Sequence, residues 1–236
     1  MSQEPTAHPS SRSAYPGLFK TGGAAAVLIV AIMIIQVIIF TVWPPPETPQ
    51  EYFDLFNRNW LLGLLSLDLL YILNNTLLIP LYLALYMALR RHAETPMLIG
   101  LMLGIAGIAA YYASNTCFEM LALSRLYAGA AAETQRTVLL GAGQALLATY
   151  MGTAFDIYYV LNAILLLVFS IVMLRSPHFS RATAIIGIAD GLLMSIPSTA
   201  GTLGMVFALA SLVPWAIFSI MVARQLFQLE KSVVRV

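Results

Sequence analysis

Apolar residues in this chain come in long blocks rather than in alternation. Crossing a ~30 Å hydrocarbon layer takes about 20 helical residues at 1.5 Å each. Blocks of that order cover residues 22–43, 60–89, 96–117, a fourth ending at 174, then 182–196 and 202–226. The fourth block has an open start, because 138–150 is also fairly apolar. The second is longer than a span needs, which predicts tilt or a kink, and Pro80 supplies the kink site. Pro197 stops the fifth block and Pro214 lies inside the sixth. Between the third and fourth blocks, Met120, Leu121, Leu123, Leu126 and Tyr127 interleave with Ser124, Arg125 and Glu133. That interleaving predicts an amphipathic helix on the outer interface or capping the bundle. The pattern therefore predicts an all-α, polytopic transmembrane helical bundle of about six spanning helices plus an amphipathic outer helix. It forms one domain over 18–229, between a disordered tail at 1–17 and a short tail at 230–236.

Composition agrees with lipid as the solvent. The 236 residues are 60% hydrophobic and only 10% charged, with mean hydropathy +0.83. Such a chain has too little polar surface to face water on all sides. Its net charge of +1 argues against a nucleic-acid partner. A single cysteine excludes an intrachain disulfide, a CxxC redox pair and a thiolate metal cage. The first apolar block is too long for a secretory signal and ends in Trp43-Pro44-Pro45-Pro46 rather than small residues, so it reads as an uncleaved anchor. Charge placement sets the topology. Arg12, Lys20, Arg90, Arg91, Arg175, Arg181, Arg224, Lys231 and Arg235 all fall on one side of a six-pass threading. Basic residues collect in cytoplasmic loops, so both termini are expected in the cytoplasm.

Ionisable groups within a span are costly and mark function by default. Three qualify: Asp68, Asp156 and Asp190. At 100° per residue, Asp68, Tyr71, Asn75, Tyr82 and Tyr86 share a narrow stripe, with Asn74 off it. Lipid offers no hydrogen-bond partner, so the stripe must face the bundle interior or a cavity. It is either a binding surface or interhelical packing glue. Asp156 shares a face with Tyr159, with Asn162 nearby. Counted inward from Arg90 and Arg175, Asp68 and Asp156 reach similar depth near the outer edge, and Glu119 follows the third block at the same level. Three carboxylates at one depth make a candidate site for a hard cation or a proton. The alternative is hydration, helix capping or pairing with Arg125 or Arg136. Asp190 lies nine residues from Arg181, near the midplane, beside Gly187 and Gly191. It is expected either to donate as a neutral acid to a neighbour or to carry a proton. The histidines, His8, His92 and His178, all fall in tail or loops, which excludes an intramembrane haem or His-rich metal site. No G-x-S-x-G, H-E-x-x-H or phosphate-loop pattern occurs, and no cofactor is implied.

Several short words are distinctive: Phe118-Glu-Met-Leu-Ala-Leu-Ser124, Thr134-Gln-Arg136, Gly143-Gln-Ala-Leu-Leu-Ala148, Gly152-Thr-Ala-Phe155 and Val172-Met-Leu-Arg-Ser176. With these, residues 18–229 resemble a family of bacterial six-helix membrane proteins known as domain of unknown function 4386. The resemblance implies a bacterial inner-membrane helical bundle and no activity. Three classes of function stay open. The first is a binding or transport protein whose outward-facing polar cavity takes a small cationic solute, proton or metal ion. The second is an embedded enzyme on a lipid-like substrate, with Asp190 or Asp156 as general acid. The third is a sensor or partner of another membrane protein.

Overall fold

The computed structural model describes residues 15–234. The tail residues 1–14, with His8 and Arg12, and the last two, with Arg235, lie outside the described residues. Among the described residues the chain is all α, in ten helices: α1 Pro16–Val42, α2 Pro49–Arg58, α3 Trp60–Ser66, α4 Leu69–Leu89, α5 Glu94–Ser114, α6 Cys117–Gly129, α7 Glu133–Tyr150, α8 Thr153–Met173, α9 Arg181–Leu193 and α10 Gly201–Val234. Five segments are long and apolar enough to cross a membrane: Pro16–Val42, Leu69–Leu89, Glu94–Gly129, Glu133–Met173 and Gly201–Ser232. This is a multi-pass membrane architecture.

Six helices close into a ring. α1 packs on α4, α4 on α5, α5 on α8, α8 on α9, α9 on α10, and α10 returns to α1. Small residues set the closest approaches. A Cβ on Gly22 of α1 would lie 2.4 Å from Ala84 Cβ of α4 and 3.4 Å from Leu226 of α10. On α5, Gly100, Gly104 and Gly107 seat Phe169, Leu165 and Asn162 of α8. Without a hydrophobic drive between helices in lipid, such close contact is what holds spans together. α9, with 13 residues, is about 20 Å long and falls short of a full span by itself. Residues 194–200 complete its path, because Thr199 donates to Asp156 at the start of α8 while Gln225 near the end of α10 meets Thr183 at the start of α9.

The ring has two unlike ends. Arg90, Arg91, Arg175, Arg181 and Arg224 stand at one. The other carries a cap of α2, α3, α6 and α7 around a separate apolar core of Tyr52, Phe53, Phe56, Leu64, Leu67, Cys117 and Met120. α2 starts with a capping box: Thr48 accepts from the Glu51 N–H, and Glu51 accepts from the Thr48 N–H. Gly143 of α7 packs against Phe53 and Pro49 of α2.

Several sequence expectations change here. The second apolar block is not one helix, since it breaks between Ser66 and Leu69. The single amphipathic outer helix is two, α6 and α7, and residues 138–150 belong to the cap helix α7, which Met151 and Gly152 separate from α8. The fifth block ends at Leu193, before Pro197. Helix begins at Pro16, inside the expected tail, and α10 runs on through 230–234.

Candidate functional site

The break before α4 places the site. Residues 67–68 leave the helical path, and Asp68 takes a left-handed conformation, φ 60. Asp is among the few non-glycine residues that tolerate this region, yet it still carries strain, which clusters at functional positions. A helix break inside a bundle exposes backbone groups that need partners. Gln36 of α1 donates to the Leu65 carbonyl at 3.1 Å, and Asn115 donates to the Leu67 carbonyl at 3.0 Å. Gln36 stands alone in an otherwise apolar run of α1 between Thr21 and Thr41, and that isolation was its signal in the sequence.

Asp68 occupies the N-cap position of α4 but does not cap it with its side chain. Asn59 before α3 and Ser180 before α9 do cap theirs. The Asp68 carboxyl turns instead to Tyr150 at the end of α7, whose hydroxyl donates to Oδ2. Oδ1 is buried and has no hydrogen-bond partner among the described residues. An acid group left half-satisfied in a dry site costs free energy, so it calls for an explanation.

Asp68 borders a cavity of about 380 Å³. Its walls are Gln36, Val37, Phe40 and Thr41 from α1, Tyr71 from α4, Tyr111 from α5, Tyr150 and Met151, Phe155, Tyr158 and Tyr159 from α8, Ser198, and Met205, Ala208, Leu209 and Leu212 from α10. Among the described residues, no Lys or Arg lines it. Its aromatic rings touch one another: Tyr111–Tyr158 at 5.0 Å, Phe155–Tyr159 at 5.2 Å and Tyr158–Tyr159 at 5.6 Å between centroids. A narrower chamber of about 90 Å³ shares Tyr71, Tyr158, Tyr159, Ala208 and Leu212 and reaches deeper, to Asn74, Tyr82, Asn162 and Trp215. There Tyr82 donates to Asn162 Oδ1 at 2.9 Å. On the cap side a shallow mouth at Ser198, Thr199, Thr202 and Met205 joins the cavity. Beyond the wall in α2, burial and the nearby Asp68 hold the Tyr52 phenol well above its ordinary pKa.

The sequence candidates divide. Asp68, Tyr71 and Tyr159 line the main cavity, and Tyr82 lines its deeper chamber. Asn75 is buried and donates to the Tyr71 carbonyl, while Asn74, placed off the stripe by the helical count, lines the deeper chamber. The cavity-facing row of α4 is therefore Tyr71, Asn74, Leu78 and Tyr82, one step round from the expected stripe. The expected stripe took its phase from Asp68, which lies outside α4. The three-carboxylate cluster does not assemble. Asp156 is half-buried and accepts from Thr199, Glu119 is exposed in the first turn of α6, and neither lines the cavity. No group of three or more His, Cys, Asp or Glu placed to hold a metal occurs among the described residues. Asp190 is fully buried, lines neither chamber, and neither of its carboxyl oxygens has a partner. Gly187 and Gly191 beside it pack against Phe218 and Leu167. Sequence reasoning missed Tyr111, Tyr150 and Tyr158, because only the fold brings helices α5, α7 and α8 onto one cavity.

No protein-family model, curated protein or solved structure matches this chain. The fold and the site define its class: a multi-pass, all-α membrane bundle that encloses a tyrosine-lined cavity with one acid at its wall.

Proposed function

We propose that the chain binds a small organic cation in the main cavity, as a membrane-embedded binding or transport protein. The observation that carries this reading is the Asp68 carboxyl, buried and half-satisfied, beside a chamber of tyrosine and phenylalanine rings without a basic side chain. Ring faces attract a cation, and desolvation strengthens that attraction. One carboxylate supplies the counter-charge. A bare divalent ion would want six or more oxygens, which one carboxylate among phenols does not provide. An anion is disfavoured, because Asp68 already stands at the N-terminal end of α4, where an anion would otherwise be welcome.

The arginine-rich end belongs in the cytoplasm by the distribution of basic residues. That puts both termini inside and the capped cavity end outside. The resemblance to domain of unknown function 4386 would make the membrane a bacterial cytoplasmic one.

The test is thermal unfolding of the protein in nanodiscs with tetramethylammonium chloride against sodium chloride at equal ionic strength. A ligand that binds the folded state raises Tm by mass action. The expected result is a concentration-dependent rise for the native chain that is absent in Asp68→Asn. Equal responses from the two proteins would overturn the reading.

A further inference from the structure

We propose that the cavity loads sideways from the membrane, between α1 and α10, so that its ligand is an amphiphile with a cationic head and an aliphatic chain. This rests on the reading of the cavity as a cation site and names the class of cation. α1 and α10 pack closely near the arginine end, where Gly22 and Gly23 meet Leu226 and Phe227. From Phe218 onward α10 buries Phe218, Val222, Ala223 and Leu226 in the core. Over its first half only Gly204 and Ser211 are buried. Pro214 lies between the two halves and removes one backbone hydrogen bond, so it is the hinge at which the proposed lateral gap to α1 would open.

The gap so formed is the cavity's side wall. Val37 of α1 and Leu209 of α10 line the cavity and are 42% and 59% exposed. The wall there is one side chain thick. Leu209 lies eight residues into α10, about 12 Å along its axis, so the gap opens on hydrocarbon rather than on the headgroup layer. Its rim is apolar, and the polar groups, Asp68 and Tyr150, stand behind it. A fully water-soluble cation gains nothing from an apolar sill in hydrocarbon. An amphiphile leaves its chain in the gap and in lipid while its head reaches the aromatic chamber. Burial of that chain then adds to the head's affinity.

The experiment compares tetramethylammonium, octyltrimethylammonium and dodecyltrimethylammonium, each below its micellar concentration, on protein in phosphatidylglycerol nanodiscs. The readout is the Tm rise of the native chain minus that of Asp68→Asn, which removes general partitioning into the disc. The half-saturating concentration is expected to fall by about tenfold or more from the tetramethyl to the dodecyl compound. Leu209→Trp, which fills the side wall, is expected to erase that gain, so that the three compounds half-saturate at about the same concentration. A flat chain-length series, or a gain that survives Leu209→Trp, overturns lateral loading and assigns entry to the mouth at Ser198 and Thr202. No difference between native and Asp68→Asn for any of the three compounds overturns the underlying cation site instead.

Discussion

At the scale of single residues, two buried acids pose opposite problems. Asp68 keeps one partner, the Tyr150 hydroxyl. Tyr150→Phe leaves both Asp68 oxygens unmatched, so it should destabilise the protein by about 1–3 kcal/mol. A saturating organic cation should then raise Tm by more in the variant than in the native chain, because it restores a lost partner. Differential unfolding with and without tetramethylammonium measures both effects. Among the described residues Asp190 has no hydrogen-bond partner, and it lines neither chamber. Replacing an unsatisfied polar group by an apolar one of similar size is neutral or stabilising. Asp190→Val should therefore keep or raise Tm, by about 1 kcal/mol in stability. A loss of several kcal/mol would show that Asp190 has a partner the static fold does not reveal. The sequence exposed both acids, since a carboxylate in an apolar block is conspicuous. It could not show their surroundings, which come from three or four other helices.

At the scale of elements, what was legible depended on whether the signal was local. Apolar length located α1, α4, α5, α8 and α10, because span length is fixed by the membrane. It could not see the break at Asp68, since Leu64, Leu65 and Leu67 on one side and Leu69 and Leu70 on the other read as continuous. The break is held from outside, by Gln36 and Asn115 on distant segments. The cap was half legible: its amphipathic residues were plain, but its division into α6 and α7 around Ala130 was not. Close packing is testable at Gly22, where Gly22→Val would drive a side chain into Ala84 Cβ and the Pro80 carbonyl. Neither is the flexible end of a side chain, so a loss of about 1–3 kcal/mol is expected by unfolding. The cap helix α2 makes a pH prediction. The backbone N–H groups of Glu47 and then Thr48 hold the exposed Glu51 carboxyl below its ordinary pKa. A folded pKa below the unfolded one gives stability that is present above about pH 4.5 and is lost as pH falls through the folded value. Native protein should thus lose cap stability on acidification below pH 4.5, read by proteolysis of the 44–59 segment. Glu51→Gln should start with lower protection and show a flatter profile.

At the scale of the whole molecule, the two ends of the ring carry different chemistry, and that asymmetry underlies the proposed orientation. Arginines at the α4–α5 and α8–α9 turns share one end with the start of α1 and the end of α10. The ring needs an even number of passes for this, which makes α9 with residues 194–200 the proposed sixth pass despite its short helix. A five-pass bundle would instead send the two termini to opposite sides. The two cases separate by thiol labelling from the outside of intact cells with a membrane-impermeant maleimide. Cys117 is fully buried, and Cys117→Ala removes it as background. Glu133→Cys, on the exposed start of the cap helix α7, should label in intact cells. Thr21→Cys at the start of α1 and Ser232→Cys at the end of α10 should both label only after the membrane is opened. Labelling of Ser232→Cys from outside, with Thr21→Cys protected, would mean that α9 does not complete a pass. Labelling of both, with Glu133→Cys protected, would invert the orientation and turn the capped cavity toward the cytoplasm. The expected pattern places the cap, the mouth and the outer half of the α1–α10 gap toward the exterior face, where an amphiphilic cation in the outer leaflet would meet them.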